Sequence, residues 1–350
     1  MEILNSVLLG FSVALQPINL VYCFSGVLFG TLIGVLPGVG PVAAISILLP
    51  ITFKVPATST IILLAGIYYG AQYGGSTTAI LMNIPGESSS VVTTLDGYEM
   101  AKQGRAGAAL GIAAFGSFIA GILASIGLIL IAPPMAEVAI QFGPAEYVSL
   151  VILGLSTVAS LSKGSTLKAL IMAAFGMFLG TVGMYPIFAS LRFTFGLLSL
   201  EDGIGIVPLV MGLFGISEII LNIEASMETP TILKGKIQGI LPSKRDWGES
   251  IWAIIRGSFL GFFLGLLPGG GAMVASFVSY AVEKRVSKHP ETFGYGAIEG
   301  VAGPESSNNA AAQSAFVPLL SLGLPSNPVT AIMLGALLIH NVTTGPLLIT

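Results

Sequence analysis

The stretch GVLFGTLIGVLPGVG at residues 26–40 returns at residues 257–271 as GSFLGFFLGLLPGGG. Gly26, Gly30, Gly34, Leu36, Pro37, Gly38 and Gly40 each meet an identical residue 231 positions later: Gly257, Gly261, Gly265, Leu267, Pro268, Gly269 and Gly271. Proline removes a backbone donor and breaks a helix, and glycine tolerates the dihedrals that a break demands. Pro37, Gly38, Pro268 and Gly269 are therefore expected to be helix breaks or hinges. Both copies lie in strongly apolar sequence. Interrupted hydrophobic segments at corresponding places in two halves point to the binding region of a membrane transporter. The glycine rows themselves read first as close helix packing rather than ligand contact.

Composition agrees with a bilayer as the solvent. Of 350 residues, 54% are hydrophobic and 9% charged, against about 25% charged in a soluble domain. So few charges do not coat a surface in water. Apolar stretches at residues 107–132, 147–161, 167–182, 204–223, 251–267 and 331–339 suit helices in a hydrocarbon layer about 30 Å thick. Several fall short of the roughly 20 residues of a full crossing, which suits helices that stop partway. The net charge of −3 says little, and no nucleic-acid partner is expected.

Cys23 is the single cysteine, and His289 and His340 are the two histidines. That leaves no disulfide framework, thiolate cluster, His-based triad or zinc site to read. No enzyme activity, resident metal or cofactor is expected. The N-terminus lacks a basic region and a small-residue cleavage pattern, and reads as a short interfacial helix ending at Pro17. The final residues, GPLLIT, stop inside an apolar run, as in the front part of a longer protein.

Four basic clusters punctuate the chain, around Lys102 and Arg105, Lys163 and Lys168, Lys234 to Arg245, and Lys284 to Lys288. Lys and Arg beside spans favour the cytoplasm. Two spans fit between each successive pair of clusters. The first LPG pair then starts outside and its copy starts inside, so the repeat is inverted. Three parts follow: residues 1–105 as the first repeat, 106–248 as connecting or scaffold helices, and 249–350 as the second repeat, C-terminally incomplete. The fold class expected is an all-α polytopic membrane protein, an inverted-repeat secondary transporter with broken helices or re-entrant hairpins, elevator-like.

Each half carries a small-polar cluster and a proline turn after its LPG break. The clusters are Ser76, Thr77 and Thr78 in the first half and Ser306, Ser307, Asn308 and Asn309 in the second. Pro37 to Ser76 spans 39 positions and Pro268 to Asn308 spans 40, which pairs the clusters. The turns are Asn83-Ile84-Pro85-Gly86 and Gly323-Leu324-Pro325-Ser326-Asn327. Irregular backbone at membrane depth persists only where protein or a wet cavity satisfies it. Freed N–H groups at a half-helix N-terminus favour a carboxylate. Freed carbonyls and Ser, Thr or Asn oxygens replace the water around a sodium ion. Singly, each turn reads as a loop and each hydroxyl as a back-bond to its own helix. Their matched places make them candidate substrate or ion ligands.

Ionisable groups inside membrane helices are costly and usually functional. Glu87 and Glu305 adjoin the polar clusters and are candidates for ion coupling or gating, whereas Glu218 lies near a cytoplasmic end. Arg192 and Arg256 read as snorkelling groups near segment ends. Tyr68, Tyr69 and Tyr73 suit a permeation path or an interfacial belt, with the path preferred for Tyr73.

The strings YYGAQYGGSTTAILMNIPGE, DGYEMAKQGRAGAALG, GLLPGGGAMVASFVSYAVEKR and GVAGPESSNNAAAQSAFVPLLSLGLPSNPVTAIMLGAL resemble the large membrane subunit of tripartite tricarboxylate transporters, the TctA family. The resemblance runs from about Gly26 to the chain end. It implies a multi-pass carrier of the bacterial inner membrane. Its implied partners are a small TctB-like membrane subunit and a periplasmic TctC-like solute-binding protein. The implied substrates are citrate and related carboxylates, moved by symport down an ion gradient. The coupling ion, Na+ or H+, stays open. The signature positions carried over are Pro37, Gly38, 74–78, 83–87, 303–309 and 324–327, and the resemblance does not say which touch substrate. Family members are longer than this chain. A carrier of another solute, or an anion channel, are the alternatives. A channel calls for a continuous ring or stripe of like residues, and the polar residues here cluster at two breaks instead.

Overall fold

The computed structural model describes residues 2–36, 39–143, 145–146, 148–149, 151–152, 155–156, 165–185, 190–205, 208–209, 211–217, 220, 239–269 and 271–349. Pro37, Gly38, Lys163, Glu218, Lys234 and much of the 147–161 and 204–223 stretches lie outside them.

The first repeat begins with α1 (Glu2–Ala14) and α2 (Pro17–Gly34), the second starting on the proline that ends the first. After the LPG break come α3 (Pro41–Leu48), a 3-10 segment (Leu49–Lys54) and the long α4 (Ala57–Met82). Proline at the first helical position needs no N–H donor, which is why Pro17 and Pro41 start helices. A short α5 (Thr93–Lys102) leads into α6 (Ala106–Ile140), and α7 (Thr166–Leu179) follows. A small antiparallel pair, β1 (Gly183–Tyr185) and β2 (Ser190–Arg192), is the one departure from an all-helical fold among the described residues. The second repeat is α8 (Lys244–Leu266), α9 (Gly271–Val286), α10 (Glu299–Ser314), α11 (Phe316–Leu322) and α12 (Pro328–Ile339), with a last turn, α13 (Pro346–Ile349). Among the described residues, α2, α6 and α8 are long and apolar enough to cross a membrane.

The glycine rows set the packing. A Cβ at Gly26, Gly30 or Gly34 would stand 2.3, 2.3 and 2.2 Å from the carbonyl oxygens of Leu63, Ile67 and Ala71. A Cβ at Gly257, Gly261 or Gly265 would stand 2.4, 2.0 and 2.3 Å from those of Gly303, Ser307 and Ala311. Only glycine lets the backbones approach so closely. In both rows the partner numbers rise together, so α2 runs parallel to α4 and α8 runs parallel to α10. Parallel neighbours need a return between them, made by α3 with its 3-10 segment in one half and by α9 in the other.

The two halves run in opposite directions. Thr60 meets His340 at 3.2 Å, Tyr69 bonds to Gln313, and Ser76 bonds to Glu305 at 2.7 Å. Along this seam α4 rises in number while α10 and the chain beyond it fall, so the helices are antiparallel. The repeat is inverted, as the distribution of basic loops implies. Loops bearing Lys102, Lys244 and Lys288 also gather at one end. There Arg105 pairs with Asp246 at 2.7 Å, and Gln103 Nε2 donates to the Tyr295 carbonyl at 2.7 Å.

The structural register corrects the pairing drawn from spacing. From α4 onward, equivalent residues lie 240 apart: Leu63 with Gly303, Ala71 with Ala311, and Asn83 with Gly323. The link from Gly271 to Gly303 is nine residues longer than that from Gly40 to Leu63. Ser76–Thr78 and Ser306–Asn309 are therefore not equivalents. They sit at different heights on their helices. The proline turns do correspond. Asn83 (φ 58°) and Gly323 (φ 71°) end α4 and α11 in the left-handed region, where asparagine and glycine are favoured. Four residues on, Glu87 and Asn327 each cap the next helical turn, in capping boxes with Ser90 and Thr330.

The first half of α6 packs into this bundle. Ile112 and Ala113 share a core with Ile80, Ile254 and Val301. A second core joins α3, α4 and α12 through Ile45, Leu64, Ile67 and Ile332. The boundary at residue 106 is thus not a boundary in packing.

Candidate functional site at the seam of the repeats

Glu305 is fully buried at the seam, on α10. Ser76 Oγ donates to its Oε2 at 2.7 Å, Thr93 Oγ1 donates to its Oε1, and Asn308 Nδ2 lies 3.5 Å from Oε2. One carboxylate thus collects hydroxyls from α4 and α5 of the first repeat and an amide from its own helix. Its backbone carbonyl accepts from Asn309 Nδ2 at 3.0 Å and from Ser117 Oγ of α6 at 3.3 Å. Asn309 Nδ2 also lies 2.8 Å from Ser117 Oγ and 2.6 Å from Asn308 Oδ1.

Each proline turn packs back onto its own repeat. The Ile84-Pro85-Gly86 turn folds back along α4. Gly86 N donates to the Gly75 carbonyl at 3.3 Å, and a Cβ at Gly86 would stand 2.2 Å from the Gly34 carbonyl. The other turn lies against its own LPG break, with Gly269 N donating to the Ser326 carbonyl at 2.9 Å. Pro268 lies in that break, in a turn. Ser89 donates to the Glu87 carboxylate.

Several sequence candidates hold structure instead. Thr77 bonds back to the Tyr73 carbonyl at 2.9 Å, and Thr78 to that of Gly75 at 3.0 Å. Ser307 donates to the Ala275 carbonyl of α9 at 2.9 Å, facing away from the seam. Ser306 faces α6, where a Cβ at Gly116 would stand 2.9 Å from its Oγ. Asn83 is exposed and acts as a helix cap, and Pro85 and Pro325 are half-buried turn residues. Arg256 does not snorkel from a segment end. It lies midway along α8 and forms a two-bond ion pair with the buried Glu283 of α9, at 3.0 and 2.5 Å.

Sequence reasoning passed over Gln72, Thr93, Ser117 and Asp96. Gln72 is fully buried on α4, one turn before Ser76, and both its amide atoms lack a hydrogen-bond partner. Its signal was a lone amide in an otherwise small and apolar run. Asp96 Oδ1 accepts from the N–H groups of Gly294, Gly296 and Ala297, each at 2.8 Å, and Oδ2 accepts from Tyr280 at 2.8 Å. That carboxylate ties α5 to the loop before α10. Beside the seam a groove of about 820 Å³ runs between α2, α4, α6 and α10, its polar side formed by Thr31, Tyr69, Tyr73, Ser117, Asn309 and Gln313.

Antiparallel repeats with broken helices, meeting at a buried polar seam, define an inverted-repeat membrane transporter. The family model of the tripartite tricarboxylate transporter TctA family matches residues 20–350, and the chain belongs to that family. It is 54% identical over 346 residues to an Agrobacterium vitis protein described as an uncharacterized 52.8 kDa protein in the TAR-I ttuC' 3' region, covering 99% of this chain and 69% of that protein. It is 61% identical over 90 residues to an uncharacterized protein in the TAR-II ttuC' 3' region of the same organism, covering 26% of this chain and 37% of that one. No solved structure matches. The chain is thus a multi-pass membrane protein and a subunit of a tripartite transporter.

Proposed function

We propose that this chain is the large permease subunit of a binding-protein-dependent, ion-gradient-driven carrier of citrate-like carboxylates in the bacterial inner membrane. The observation that carries this reading is the contact of Ser76 with Glu305 at 2.7 Å, across antiparallel α4 and α10. It joins the two halves by a buried polar link. Carriers built from inverted repeats hold substrate and coupling ion at such a midplane seam.

The chemistry suits a carboxylate that is held and then released. The Asn327 Nδ2 group and the Ser326 hydroxyl, buried with no hydrogen-bond partner among the described residues, are neutral donors. Among the described residues no Lys, Arg or His hydrogen-bonds to Glu305, so the anion enters once the site's own carboxylate is neutralised by Na+ or H+. A periplasmic binding protein would deliver the substrate, and a small membrane subunit would complete the complex. Asp96 and Glu305 bind the two repeats together, which supports their moving as one rigid body in an elevator-like cycle.

Uptake of labelled citrate into membrane vesicles holding the assembled complex and its binding protein tests the reading. Uptake driven by an imposed Na+ or H+ gradient is expected. Gradient-independent flux, or transport that survives cross-linking of α4 and α10 to fixed neighbours, would overturn it.

A further inference from the structure

Gln72 is fully buried, and neither its amide oxygen nor its amide nitrogen has a hydrogen-bond partner. Buried polar groups nearly always find partners, so an unpartnered pair on one side chain calls for a reason. Helical geometry places it. Residues four apart share a face, so Tyr68, Gln72 and Ser76 form one row on α4. One end of that row is fixed to the other repeat, where Ser76 donates to Glu305 at 2.7 Å. The antiparallel contacts Tyr69–Gln313 and Ser76–Glu305 bracket Gln72. Helical register thus carries Gln72 on the seam face, one turn before the residue that meets Glu305.

We propose that Gln72, Ser76 and Glu305 form a binding site for a monovalent metal cation, with Thr93 completing the oxygen set. This deepens the ion-coupled reading above and rests on it for its role in transport. Charge supports the assignment. The Glu305 carboxylate is fully buried and, among the described residues, receives only neutral donors. A buried carboxylate without a positive partner is strongly disfavoured. One carboxylate with neutral oxygens balances one positive charge, whereas divalent cations gather several carboxylates. Among the described residues no group of three or more His, Cys, Asp or Glu is placed to hold a metal. Hydroxyls that donate to a carboxylate still present lone pairs to a cation. The Gln72 oxygen supplies the ligand that the seam otherwise lacks.

The test is thermal melting of the full-length protein in nanodiscs, without carboxylate. NaCl, LiCl or KCl replaces choline chloride at constant ionic strength. A ligand that binds the folded state raises the melting temperature with its concentration. Wild type is expected to show a saturable rise with one of these cations. Gln72→Leu is expected to melt above wild type in choline, because it removes two unpartnered buried atoms, and to shift the cation midpoint upward by about tenfold or more. Glu305→Gln is expected to abolish the response. An unchanged midpoint in Gln72→Leu overturns the site. So does a wild type indifferent to all three cations, or one stabilised by acid alone, which would mean that Glu305 carries a proton. Vesicle uptake separates the two readings. Gradient-driven uptake without cation stabilisation sinks this site alone. Cation stabilisation without uptake sinks the transport reading alone.

Discussion

The Ser76 hydroxyl of the first repeat donates to the Glu305 carboxylate of the second, 2.7 Å away and 229 residues on in the chain. Both residues are fully buried. The contact is asymmetric within a symmetric frame, since Ser76 and Glu305 are not equivalents in the repeat register. Inversion thus brings a hydroxyl to a carboxylate.

Ser76→Ala removes one donor to that carboxylate. Hydrogen bonds to charged groups contribute about 1.5–3 kcal/mol, so substrate uptake is expected to fall on the order of tenfold. Thr77→Val, whose hydroxyl bonds only to its own helix, is expected to leave uptake unchanged. Initial rates in vesicles, normalised to the amount inserted, check both. Equal rates in Ser76→Ala and wild type would count against the seam.

The glycine rows leave no space for a methyl group. Gly30→Ala and Gly261→Ala would place a Cβ 2.3 and 2.0 Å from carbonyl oxygens. Overpacking of this kind costs about 1–3 kcal/mol, and more where only backbone can move. Both variants are expected to melt lower than wild type. Gly121→Ala on α6 meets nothing within 4 Å and gains roughly 1 kcal/mol of helix propensity at most. It is expected to melt level with wild type or slightly above. Thermal scans in one detergent decide the contrast.

Arg256 and Glu283 are a pair in which one partner is worse than none. Arg256→Met leaves a fully buried Glu283 carboxylate without its guanidinium, which costs about 3–5 kcal/mol. The double variant Arg256→Met with Glu283→Leu is expected to recover most of that loss. A double variant no better than the single one would show that the pair does more than neutralise itself.

Asp96→Ala removes the acceptor of four hydrogen bonds and strands the N–H groups of Gly294, Gly296 and Ala297. Each stranded donor costs about 1–3 kcal/mol where it stays buried. Faster hydrogen exchange at residues 293–298 is expected, with little change in the α2–α4 pair. Uniformly raised exchange would make Asp96 a general stability residue instead of a local tie.

Much of this architecture is legible in the chain. The LPG breaks and the glycine rows at every fourth residue survive in both copies because close backbone contact admits no other residue. The inversion follows from where lysines and arginines fall. The proline turns are legible as turns, though Glu87 and Asn327 as helix caps need the backbone to be seen. Counting from Pro37 and Pro268 misaligned the polar clusters, because the second return, through α9, is nine residues longer and composition does not mark where the excess lies. Arg256 and Glu283 stand 27 residues apart in the chain, with no local pattern to announce the pair. Glu283 reads as part of a charged loop until α9 is seen to carry it inward. Asp96 and Gln72 escaped for the same reason. Their partners, or the want of them, belong to the far half of the chain.

Asp96 also fixes an order of events at the ribosome. Its acceptor oxygens are made early, but the three amides that fill them lie some 200 positions later. Until residue 297 has been synthesised, the three amides that Asp96 Oδ1 accepts from are not all present. The first repeat is therefore a structure whose polar closure at this end is supplied by the second.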